Sequence, residues 1–166
     1  MKAPLGPKEE LGMRKKSVSA LALMLAVGAW GANAQDLAKN SSATARVRYM
    51  VSDVPAAAGF YTSKLGFKLD FSAGAYFAAL SRGGLQLLLS PTKGPGGASQ
   101  PMPSGERPAP GGWTRIVLNT PDIQGEVDRL RKEGVHFRND ITAGPGGKEI
   151  LLDDPSGNPI ELFQPG

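Results

Sequence analysis

Two stretches of this 166-residue chain follow one plan, and a repeated plan limits the fold more than composition can. In the first, Arg46-Val47-Arg48-Tyr49-Met50-Val51 alternates as a strand does, and Asp53 then stands where a helix cap belongs. Ala57, Phe60, Tyr61 and Leu65 recur at helical spacing until Gly66 ends the run. In the second, Arg115-Ile116-Val117-Leu118-Asn119 is the strand, Asp122 the cap, Ile123, Val127 and Leu130 the apolar stripe, and Gly134 the stop. Arg46 precedes Asp53 by seven positions, as Arg115 precedes Asp122, and the cap-to-glycine spans are thirteen and twelve positions. Three short strands are expected after each helix, over 67–71, 75–81 and 84–90 and again over 135–140, 148–153 and 159–164. Each half is therefore predicted to be a βαβββ module. A helix can cover only one apolar face of such a sheet, so two modules must pair. The expected class is α+β, with the two modules forming a cup-shaped mixed sheet and the helices on its convex side. Pairing within one chain and pairing across a homodimer both satisfy that requirement.

The ends of the chain are read separately from the fold. Met13-Arg14-Lys15-Lys16 is a basic start, Ser19 to Val27 is an apolar run too short to span a bilayer, and Ala32-Asn33-Ala34 has the small-x-small form of a cleavage site. Residues 1–34 are thus expected to be a signal peptide, with Met13 a candidate initiator, and 35–44 a flexible tether. The mature protein would be periplasmic or secreted, with no membrane span after cleavage. The leader carries five Lys/Arg and two acids, or +3 of the chain's net +4, which leaves about +1 on the rest. No basic run follows it, so nucleic acid is not an expected partner. The absence of cysteine excludes disulfides, thiolate ligands and a Cys nucleophile.

Modules over 45–90 and 113–165 leave 91–112 between them. Ser90 to Gly112 holds six prolines and six glycines, which prevent a regular helix and suit either a plain linker or a lid. Strand alternation then assigns faces. Val47, Tyr49 and Val51 should face the first helix, leaving Arg46, Arg48 and Met50 on the concave side. Ile116 and Leu118 should face the second, leaving Trp113, Arg115, Val117 and Asn119 concave. The same alternation turns Gln86, Leu88, Glu161 and Phe163 inward. Gly144-Pro145-Gly146-Gly147-Lys148 lacks the spacing of a phosphate-binding loop and reads as a hairpin turn. Asp153-Asp154 precedes a Pro turn, where Asp caps backbone. His136, the only histidine, lies apart from the concave positions.

The duplicated modules, the Phe60-Tyr61-x3-Leu65-Gly66-Phe67 helix exit and the closing Asp154-Pro155-Ser156-Gly157-Asn158-Pro159-Ile160-Glu161-Leu162 hairpin together resemble the vicinal oxygen chelate superfamily of glyoxalase, bleomycin resistance and extradiol dioxygenase proteins. The resemblance covers nearly all of 45–165. In enzymes of that family four inward side chains hold a metal, and the matching positions here are Arg46, Gln86, Arg115 and Glu161. Arginine offers no lone pair to a metal, and Gln plus Glu are too few ligands for a transition ion. The resemblance thus implies a family cup without its metal site, and no cofactor is expected; a divalent metal is the alternative. One reading is capture of a small, anionic organic ligand by Arg46, Arg48, Gln86, Trp113, Arg115, Glu161 and Phe163, as in bleomycin-binding members. Another is a glyoxalase-like lyase or dioxygenase-like enzyme, metal-dependent or using Glu161 as general base. A third is a scaffold in which an internal Arg–Glu–Arg cluster merely fixes a vestigial cup.

Overall fold

The computed structural model describes residues 45–166; the expected signal peptide and tether lie outside the described residues. Strand β1 (Ala45–Val51) runs into α1 (Val54–Lys64), then β2 (Lys68–Ser72), β3 (Ala78–Arg82) and β4 (Leu85–Pro91). The second module repeats this with β5 (Ile116–Asn119), α2 (Ile123–Lys132), β6 (Thr142–Gly144), β7 (Gly147–Asp153) and β8 (Pro159–Pro165). Each module forms its own four-stranded sheet, ordered β1-β4-β3-β2 and β5-β8-β7-β6. In each, the first strand lies parallel to the last and the other neighbours are antiparallel.

The helices begin and end for local reasons. Asp53 accepts the Ala56 N–H at 2.8 Å and Asp122 accepts the Gly125 N–H at 3.0 Å, each satisfying a donor that the first helical turn leaves open. Pro55 lies in the first turn of α1, where it removes no helical hydrogen bond. Gly66 (φ 67°) and Gly134 (φ 78°) take the left-handed conformation that ends each helix.

The modules pair within the chain. One apolar core joins Tyr49, Val51, Tyr61, Leu80, Leu87 and Leu89 of the first to Ile116, Leu118, Ile123, Leu130, Ile150 and Ile160 of the second. The buried Tyr49 hydroxyl bridges them: it donates to the Pro159 carbonyl at 3.0 Å and accepts the Ile116 N–H at 3.0 Å. Asn158 donates to the Met50 carbonyl and accepts the Gly111 N–H, at 2.9 and 2.8 Å. Asp154, also buried, accepts four hydrogen bonds: Oδ1 from the Ser156 and Asn158 N–H groups (2.8 and 2.9 Å), Oδ2 from the Tyr61 hydroxyl and the Asn158 amide (3.1 and 2.9 Å). On the helical side, Lys64 pairs with Glu133 at 2.7 Å and Arg129 donates to the Lys64 carbonyl at 2.7 Å.

Two expected strands differ. The stretch 135–140 makes one isolated bridge, Phe137 to Leu152, and the edge strand is Thr142–Gly144 instead. The Asn139 side chain takes the Leu151 N–H at 2.8 Å, so a side chain occupies the place a ladder partner would fill. The strand expected over 75–81 starts only at Ala78, because Gly74–Tyr76 turns as a short 3-10 helix. Between the modules, Ser99 is buried in another such turn and donates to the Pro91 carbonyl at 2.6 Å. No helix among the described residues is long and apolar enough to cross a membrane.

Candidate functional site

The faces fall as the alternation requires. Along β5 burial alternates, with Ile116 and Leu118 in the core and Val117 52% exposed on the other side. Gln86, Leu88 and Glu161 are buried on the face away from the helices, outside the shared apolar core. Phe163 is partly buried and pairs across the ladder with Glu149.

The four positions carried over from the resemblance do not meet as one cluster. Arg115 donates through Nε to Glu161 Oε2 at 2.6 Å, with Glu161 only 7% exposed. Gln86 turns elsewhere: its amide donates to Asp70 Oδ2 at 3.2 Å, while the other Asp70 oxygen accepts the Ser81 hydroxyl at 2.9 Å. Ladder register explains the grouping. Arg46 pairs with Gln86, and Gln86 with Ser81; a bulge between Leu69 and Phe71 brings Asp70 to the end of the same row. One polar row thus crosses all four strands of the first sheet. The Arg–Glu–Arg cluster of the scaffold alternative reduces to a single pair, Arg115 with Glu161. Arg46 makes no hydrogen bond or ion pair to a described residue.

Arg48 leaves β1 on the same face as Arg46, two residues along. Its guanidinium donates to the Ser90 hydroxyl and lies 5.8 Å from the Phe77 ring centre. Desolvation by these neighbours, and then the charge of Arg46, hold it below the ordinary arginine value. No carboxylate among the described residues forms an ion pair with either arginine.

Trp113 lies before the strand it was expected to join. Gly111 and Gly112 before it take φ of 93° and 87°, outside extended backbone, and β5 begins only at Ile116. Its ring is 76% exposed and stands 5.9 Å from the Arg138 guanidinium. His136 is exposed and lies 3.5 Å from Asp153, which also holds Arg138 at 2.7 Å. An open depression of about 420 Å³ is lined by Arg131 and residues 135–140, none of them in the polar row.

The donor set does not suit the metal that the fold implies. Two of the four positions are guanidiniums, Glu161 is engaged by Arg115, and no three His, Cys, Asp or Glu side chains group to hold an ion among the described residues.

A family model described as the Glyoxalase/Bleomycin resistance protein/Dioxygenase superfamily matches residues 44–162. The chain belongs to that superfamily. A superfamily structure from Sphaerobacter thermophilus DSM 20745 is 28% identical with a TM-score of 0.58, covering 72% of this chain and 94% of its own. TnmS3, titled an antibiotic binding protein from Streptomyces sp. CB03234, is 26% identical with a TM-score of 0.56, covering 76% and 98%. The lactoylglutathione lyase of Agrobacterium tumefaciens, 19% identical with a TM-score of 0.59 over 75% and 94%, shares the fold. Among curated proteins, the Bacillus subtilis (strain 168) protein YurT, described as uncharacterized, is 30% identical over 121 residues, or 69% of this chain and 92% of YurT.

The sequence singled out Arg46, Arg48 and Gln86 but missed Asp70, Ser81, Ser90 and Phe77. Register brings these to the same face, and the bulge at Asp70 has no signal of its own in the sequence.

Proposed function

We propose that this is an exported protein that binds a small organic anion on the concave face of its first module, without a metal. The observation that carries the reading is the Arg46–Arg48 pair, two cations on one strand face with no carboxylate paired to either among the described residues. Cations held side by side repel each other, and a bound anion relieves that repulsion through charge-assisted hydrogen bonds. Phe77 beneath Arg48 and the apolar Leu88 beside it suit a ligand with an organic body. The antibiotic-binding title of TnmS3 is consistent with a small-molecule ligand. The chemistry of the four carried-over positions supports binding without a metal. Export rests on the leader over residues 1–34.

Titration calorimetry with phenylacetate and its neutral amide tests the binding. The carboxylate should bind at least about ten-fold more tightly than the amide, and less tightly as salt is raised. Arg46→Gln combined with Arg48→Gln should erase the difference. Equal binding of acid and amide by the wild type, or an unchanged preference in the double variant, overturns the proposal.

A further inference from the structure

Gln86 holds the one buried side-chain polar atom left without a partner among the described residues. The residue is 1% exposed, and its Oε1 has no hydrogen bond. Leaving such an acceptor dry is costly, so native interiors satisfy nearly all of them. The assignment of its two amide atoms is fixed by chemistry. Nitrogen must face the acceptor Asp70, because an oxygen there would meet a carboxylate. The planar amide then turns Oε1 away from Asp70. Ser81 is of no help, because its hydroxyl is donated to Asp70. The remaining ladder neighbour on this face is Arg46, which does not donate to Oε1.

The row therefore offers two complementary features side by side: a guanidinium with no anion and a buried acceptor with no donor. We infer that the ligand is a hydroxycarboxylate, with its carboxylate gripped by Arg46 and Arg48 and its hydroxyl donated to Gln86 Oε1. This rests on the anion-binding reading above and adds the demand for a donor next to the charge. Asp70 and Ser81 are positioning residues in this arrangement, since they hold the amide in the orientation that presents oxygen.

The test compares acids that differ only by a 2-hydroxyl: lactate with propionate, and mandelate with phenylacetate. Titration calorimetry on the full exported protein should show each hydroxy acid binding at least about ten-fold more tightly than its partner, because an acceptor built for a hydroxyl rejects the analogue that lacks one. Gln86→Leu removes the acceptor at similar size and should bring the two members of each pair to equal affinity while both still bind. Asp70→Asn should reduce the preference, because an asparagine can face the Gln86 amide with either of its groups. If wild-type protein binds both members of a pair alike, the hydroxyl inference falls and the anion reading stands. If no carboxylate binds, both fall. If Gln86→Leu keeps the full preference, the donor is read elsewhere and the inference is overturned. Should that variant fail to fold, the wild-type ratios decide alone.

Discussion

Replacing Asp154 by asparagine should separate the two modules energetically more than any other single-atom change in the closing hairpin. Its carboxylate collects four donors while only 4% exposed. An asparagine can keep its oxygen toward the Ser156 and Asn158 N–H groups. Its NH2 then faces the Tyr61 hydroxyl and the Asn158 amide. The hydroxyl can rotate and accept, so that contact survives in weakened form. The Asn158 amide cannot adapt. Its oxygen is held by the Gly111 N–H and one of its hydrogens by the Met50 carbonyl, so turning it over would break both. One buried N–H is left facing another donor, which costs about 1–3 kcal/mol, and the surviving bonds lose their charge assistance. The expected total is about 3 kcal/mol, read as a fall in the urea midpoint at unchanged slope. Tyr61→Phe should cost less, about 1–2 kcal/mol, because the hydroxyl is one of four donors. Combining the two changes should cost less than their sum, since they share a contact. A loss under about 1 kcal/mol for Asp154→Asn, or strict additivity with Tyr61→Phe, refutes the reasoning.

Three further outcomes are expected. Arg115→Met should lower stability by about 2 kcal/mol, because it strands Glu161 in a largely dry site; the figure sits below that of a fully buried pair since a third of the arginine side chain is exposed, and an unchanged denaturation midpoint would contradict it. Added Zn²⁺, Mn²⁺, Ni²⁺ or Fe²⁺ should leave the melting temperature unmoved, whereas a shift that Glu161→Ala abolishes would establish a metal site. The intact mass of protein recovered from cells should correspond to a chain starting near Gln35, and residues 13–34 still attached would remove the export proposal.

Much of this architecture could be read from spacing because its determinants are local. Asp53 and Asp122 act on N–H groups three residues away, and Gly66 and Gly134 act on their own backbone. Strand faces followed from alternation, so the inward turn of Gln86 and Glu161 was legible too. What was not legible depends on partners distant in sequence. Asn139 displaces a strand by taking a backbone N–H twelve residues on, and Tyr49 finds its two partners in another module. The site was half legible for the same reason. Arg46 and Arg48 share a face by counting along one strand, but their isolation from carboxylates depends on where Glu161 and Asp70 turn. Glu161 is taken by Arg115 and Asp70 by Ser81 and Gln86, outcomes of register and of one bulge.

Each sheet is completed within its own half, its last strand returning to lie beside its first. No backbone ladder crosses from one half to the other; side chains and a shared core hold the halves together. An exchange of halves between two chains would therefore break no strand pairing, and the connection over 92–115 contributes no strand whose pairing would resist being straightened. A pair of chains could trade halves and recover every contact across the seam, including the Tyr49 bridge. The polar row of the first sheet would survive that exchange untouched, since Arg46, Gln86, Ser81 and Asp70 all belong to one half. On the function proposed above, ligand recognition would thus be insulated from how the halves are partnered.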